Sequence, residues 1–306
     1  MSNILTRIVF RYCFQTWLSN MAFKNVCSVV IACLLLFGCA INVTPSAFFY
    51  QDTTPKSLDT TRLHSAIQKD NLSAGISIVE LENEGGQTLR GVAVSYANPI
   101  VNIVFFADNR MPLSENNSVI HQLGKFPANI LWLDYQGVGA SEKADKLNIN
   151  AIKQDALTQF DYVESAFDTS IPTIVHGRGI GSYFASYVAA NRQIDGLVLD
   201  GAFNNISDLI ANMVPGFSNS FTAMKLHDEV HSMQIAPILR HFDGPLWLLV
   251  GARDKITPQP ISEQLLADSA SSKKHLSVIP EATHNATLNS DFAIAEYKRF
   301  VSQLAN

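Results

Sequence analysis

An apolar run that breaks on three alternating glycines constrains this chain more than any other feature. Ile171 to Val175 leads into Gly177-Arg178-Gly179-Ile180-Gly181, and a helix-compatible segment beginning Ser182-Tyr183-Phe184-Ala185 follows. Without a Cβ, glycines let a strand end and a helix start approach closely, and they take backbone angles that strain other residues. On its own the triplet also fits a phosphate-binding turn or a plain strand–helix connection.

The surroundings narrow the choice. Asn129 to Leu133 is a buried-type strand closing in Asp134-Tyr135-x-Gly137-x-Gly139-x-Ser141. Pro245 to Val250 is another, followed by Gly251-x-x-Asp254, and His275 to Ile279 runs on to His284 in the loop beyond. Gly75 to Leu81 and Leu89 to Tyr96 read as antiparallel strands around Glu84-Gly85-Gly86, because their alternation gives one wetter face. Asn150 to Phe167 reads as a helix, with Ile152, Ala156, Phe160, Val163 and Phe167 recurring at three- and four-residue steps. Apolar runs alternating with helical segments are the pattern of a buried parallel sheet, and a chain of 306 residues with 47% hydrophobic content can bury the core it needs.

Taken in order, these motifs resemble the α/β-hydrolase superfamily in its small-lid serine-hydrolase branch. The resemblance runs from about Ala47 to the C-terminus. It implies a mostly parallel eight-stranded sheet with helices on both faces and a small lid. The glycine triplet then stands where the family has its G-x-S-x-G nucleophile elbow, and elbow, acid, histidine is the family's chain order. The resemblance implies an acid at Asp254, a base at His284, and an oxyanion hole from the backbone N–H groups of Ile180 and Asn109, the latter after the strand Ile103–Phe106. The chain departs from the pattern twice. The nucleophile position is Gly179, and the His-Gly pair usual after the third strand is Ala107-Asp108.

Alone, Asp254 reads as an acid capping the turn Lys255-Ile256-Thr257, and His284 as a surface histidine. Together, each following its own strand, they read as a His–Asp pair. The other histidines have no partner visible in sequence, although His176 abuts the elbow. Ser182 belongs in the first helical turn, where a hydroxyl caps backbone groups more readily than it attacks. If Asp108 faces the oxyanion hole, its carboxylate opposes the charge that acyl transfer develops there. Arg110 and Arg178 are the candidate neutralisers. A water activated by His284 in the space left by the serine is the remaining catalytic route.

The N-terminus carries a separate signal. Residues 1–38 hold three of the 22 basic residues and none of the 27 acidic ones, leaving 19 against 27 and a net charge of −8 beyond them. That balance argues against nucleic acid, which calls for a clustered basic face. The apolar run Val26 to Phe37 is twelve residues, short of the roughly 20 that span a bilayer. A basic start, a short apolar run and a small residue before a cut are signal-peptide features. Leu36-Phe37-Gly38-Cys39 resembles the bacterial lipobox, whose cysteine is acylated; an uncleaved anchor and a buried N-terminal helix are the alternatives. All four cysteines lie within the first thirty-nine residues, so the remaining chain is neither a disulfide framework nor a thiolate metal site.

The expected organisation is a lipoprotein signal in 1–38 (with Met21 as an alternative start), an acylated Cys39 and tether in 39–60, and a hydrolase-like domain in 61–306. Within the tether, Phe48-Phe49-Tyr50 can pack on the domain edge. Ala40 is not the aspartate that resembles an inner-membrane retention signal, which favours the outer membrane, facing the periplasm. No metal or cofactor is expected. Two functions stay open: a degenerate hydrolase that binds a small-molecule or acyl ligand or a partner, and a hydrolase working by water or a non-standard nucleophile. A local serine-to-glycine lesion is a third reading. Gly179→Ser is expected to restore some hydrolysis, limited by Asp108.

Overall fold

The computed structural model describes residues 41–68, 74–108, 110–213 and 224–304. The chain divides into two compact units, Met1–Ile41 with Gly216–Lys225, and Asn42–Pro215 with Leu226–Asn306. Almost all of the first lies outside the described residues, Cys39 and the signal segment included.

Eight strands form the main sheet of the second unit: β1 (Gly75–Glu82), β2 (Thr88–Ser95), β3 (Val101–Phe106), β4 (Ala128–Leu133), β5 (Thr173–Arg178), β6 (Gly196–Asp200), β7 (Leu246–Gly251) and β8 (Lys274–Ile279). Their order is β1-β2-β4-β3-β5-β6-β7-β8. The pairs β1–β2 and β2–β4 are antiparallel, and every other pair is parallel. The expected mostly parallel eight-stranded sheet is therefore present, its wetter antiparallel strand at the edge. Strand β1 alternates between exposed and covered residues, whereas every residue of β3, β4, β5, β6 and β7 is buried. A parallel strand buried on both faces needs helices on both faces.

Those helices are α1 (Thr60–Gln68), α2 (Asn117–Leu123), α3 (Ile149–Ala166), α4 (Gly181–Asn191), α5 (Ile206–Met213), α6 (Gln259–Asp268) and α7 (Asp291–Leu304). Ile103, Phe105, Ile130, Trp132, Val198 and Trp247 share one core with residues of α2 and α7. In it Trp247 meets the Tyr297 ring edge-on at 5.2 Å and donates its Nε1–H to Ser277 Oγ. The alternate residues Val104 and Phe106 are equally buried, on the side where α3 and α4 meet β3. Helix α3 starts one residue before its apolar period suggests, because Asn148 caps it by accepting the amides of Asn150 and Ala151, a contact worth about 1 kcal/mol.

The stretch anticipated as a tether is laid onto the domain from Phe49 onward. Phe49 is buried against the rings of Tyr135 and Phe184, at 6.2 and 5.9 Å. The Asp52 amide donates to the Gly137 carbonyl, and the Asp52 carboxylate accepts the Gly139 amide. Of the anticipated lid between β6 and β7, residues 214–223 lie outside the described residues.

Candidate functional site

The parallel strands deliver four loops to one end of the sheet, where open α/β sheets place their ligands. Ala107-Asp108 follows β3, Gly179 follows β5, Asp254 follows β7 and His284 follows β8. The glycine triplet makes a tight turn between β5 and α4. Gly179 sits at φ +53°, and its amide donates to the Asp200 carbonyl at the end of β6. A Cβ on Gly177 would overlap the Gly181 carbonyl, and one on Gly181 would overlap the Phe106 carbonyl of β3. Both outer glycines are thus required by close backbone approach, while the centre needs a residue that takes a left-handed conformation.

Asp254 and His284 come together as expected. His284 Nδ1 lies 2.7 Å from Asp254 Oδ2. The other oxygen, Asp254 Oδ1, accepts the amides of Ile256 and Thr257, at 2.8 and 2.9 Å. Asp254 therefore caps its turn and holds the histidine at once. Burial alone would raise its pKa, but the hydrogen bond and charge of His284, helped by Thr257, bring it below the ordinary carboxylate value. Thr257 does not stand out in the sequence. Its buried hydroxyl is within 3.0 Å of His284 Nδ1, Asp254 Oδ2 and the Gly201 carbonyl. Its signal is slight: a hydroxyl three residues after the acid.

Asp108 is the decisive residue. Its Oδ1 accepts the Ile180 amide at 2.9 Å, the donor assigned to the oxyanion hole, and its Oδ2 lies 3.4 Å from His284 Nε2. The carboxylate bridges His284 and the Ile180 amide. A Cβ built on Gly179 would overlap Asp108 Oδ1 and Cγ. The position where the resemblance places a serine Cβ is taken by Asp108, reaching in from the loop after β3. Asn109, the other expected oxyanion donor, lies outside the described residues.

The neutralising cation is His284, not Arg110 or Arg178. Arg178 is buried and paired with Asp200, Nε to Oδ2 at 2.8 Å, and Thr287 donates its hydroxyl to the same carboxylate. The Arg110 guanidinium sits over the Tyr50 ring at 5.6 Å. Burial would push the His284 imidazole down, but hydrogen bonds to Asp108 and then Asp254, reinforced by both charges, raise its pKa to about 10. At neutral pH it is an imidazolium between two carboxylates.

The remaining candidates are structural. Ser182 is fully buried and donates to the Gly177 carbonyl rather than capping an amide. His176 is buried in β5 against Phe105 and Tyr297, and burial followed by the Arg178 charge holds its pKa well below the ordinary value. In the turn after β4, Asp134 accepts the amides of Leu113 and Ala140, which fixes that loop beside the site; burial raises its pKa to about 7. No group of acids, histidines and cysteines suited to a metal occurs among the described residues.

Similarity to solved structures agrees with this architecture. An esterase from Pyrococcus furiosus, Pf2001, superposes with a TM-score of 0.64 at 15% identity, over 83% of this chain and 98% of that one. The α/β hydrolase GrgF from Penicillium sp. sh18 matches at 0.59 and 14%, covering 75% and 98%. A hydrolase from Pseudomonas aeruginosa PA01 matches at 0.55 and 14%, also covering 75% and 98%. No family model matches the chain. This chain has the α/β-hydrolase fold.

Proposed function

We propose that this chain is a lipid-anchored α/β-hydrolase-family protein of the bacterial envelope, catalytically degenerate, which binds a ligand or partner at its strand-end site. One observation carries the reading: the Asp108 carboxylate spans the Ile180 amide and His284 in the space a side chain at residue 179 would enter. Three parts of acyl-transfer chemistry are lost together. Residue 179 has no hydroxyl, the amide that would hold an oxyanion holds a carboxylate, and the general base already carries its proton. Losing the serine alone costs about a million-fold in turnover in a well-studied protease. Hydrolysis by water requires a neutral His284, and both carboxylates oppose that state.

The same geometry counts against a recent lesion. Restoring a serine to a chain that keeps Asp108 requires that side chain to move off its present position, so the two departures from the family pattern fit each other. Fluorophosphonate probes, which label activated serines, test the reading. The native chain should remain unlabelled, and Gly179→Ser alone should label poorly. Gly179→Ser combined with Asp108→Gly should label at residue 179 and hydrolyse short activated esters, and His284→Ala should abolish that gain. Labelling of the native chain at Ser182 or any other serine refutes degeneracy.

A further inference from the structure

We infer that the ligand of this site is carboxylate-terminated and binds by displacing Asp108 from Ile180 and His284; this rests on the binding reading above. Asp108 shows that the site accepts a carboxylate, because its two oxygens span a backbone amide at 2.9 Å and an imidazolium nitrogen at 3.4 Å. An imidazolium and an amide aimed at one place favour an anion over an ester carbonyl, since hydrogen bonds with an ionised partner are roughly twice as strong as neutral ones. Of the two carboxylates on His284, Asp108 is the displaceable one. Its side chain is 17% exposed where that of Asp254 is fully buried, and its contact to the ring is longer, 3.4 Å against 2.7 Å. Charge-assisted N–H···O bonds settle near 2.7–2.9 Å, so the Asp108 side chain, tied to its own backbone, reaches His284 imperfectly. A free carboxylate has no such tether and can meet both donors at ordinary lengths.

The chain carries a cation two residues beyond Asp108. Arg110, two residues further on and at φ +61°, lines a cleft of about 300 Å³ with Lys143, Ser46, Phe49, Tyr50 and Gln51, and no acid lines it. Exchange of one carboxylate for another leaves His284 charged throughout, so no buried charge is left alone.

The test follows the Ile180 amide and the His284 ring by NMR in the full chain. Octanoate should shift both signals saturably, whereas octanamide, which has the same chain without the charge, should not. Asp108→Gly removes the internal competitor, so octanoate and acetate should bind it about tenfold to a hundredfold more tightly, the worth of one charged hydrogen bond. Native chain that shows no octanoate response, or responds equally to octanamide or inorganic phosphate, overturns the inference; so does a folded Asp108→Gly variant with no gain. Should that variant fail to fold, the native octanoate and octanamide titrations decide alone. Fluorophosphonate labelling of the native chain would instead defeat the degenerate reading, so the two failures are distinguishable.

Discussion

A side chain at residue 179 and the carboxylate of Asp108 claim the same volume, and the chain resolves that conflict by placing glycine at one and aspartate at the other. The electrostatic consequence falls on His284. Its folded pKa of about 10 lies above the ordinary 6.5, so between those values the folded state holds a proton the unfolded chain has lost. Stability from this group is complete below pH 6.5 and declines as pH rises toward 10. Urea unfolding across that range should show the decline, and Asp108→Asn, which removes one of the two charges, should flatten it and lower the His284 pKa measured by NMR. An unchanged His284 titration in Asp108→Asn would mean that Asp108 does not hold the ring. At this scale the sequence is readable where a residue of the strand-end cluster follows an apolar run, as Gly179, Ile180, Asp254 and His284 do. It is half readable at Asp108, whose opposition to an oxyanion follows from position but whose pairing with His284 requires the fold. Whether Arg178 neutralises it is not readable, because Asp200, 22 residues away, reaches Arg178 only through the β5–β6 pairing.

Elements are more legible than contacts. Parallel strands buried on both faces write themselves as unbroken apolar runs, which is why β3, β4, β5 and β7 can be placed from sequence, and glycine spacing marks the β5–α4 turn. The docking of Phe49 is legible only as aromatic character in a polar stretch, since its partners Tyr135 and Phe184 lie far along the chain. The tightness of the turn is the property on which the whole site depends: α4 begins wedged against the end of β3, with Gly181 facing the Phe106 carbonyl. A backbone carbonyl cannot swing aside as a side chain can. Gly181→Ala should therefore cost about 3 kcal/mol, the upper part of the range for overpacking. Gly75→Ala is the control, because a Cβ there meets the Ser95 carbonyl only at 3.9 Å, an ordinary contact. Chemical denaturation of both variants checks the contrast; equal stabilities would mean that the elbow is looser than its geometry indicates.

For the whole molecule the issue is where such a domain works, and the answer turns on the distribution of charge and cysteine. The basic residues Arg7, Arg11 and Lys24 precede the twelve-residue apolar run, and every cysteine lies at or before Cys39. Beyond residue 38 the chain carries a net charge of −8, a balance that anionic headgroups repel. No helix among the described residues is long and apolar enough to cross a membrane. If the domain is membrane-bound, acylation of Cys39 is the attachment the sequence offers. One acyl chain gives only marginal binding, whereas two give stable anchoring, so the diacylglyceryl group implied by the lipobox resemblance is sufficient. Fractionation should place the native chain with membranes, and Cys39→Ser should release it or leave an unprocessed precursor. Mass spectrometry of the mature N-terminus should find a diacylated Cys39; an unmodified chain beginning at Met1 or Met21 in the soluble fraction would overturn the assignment.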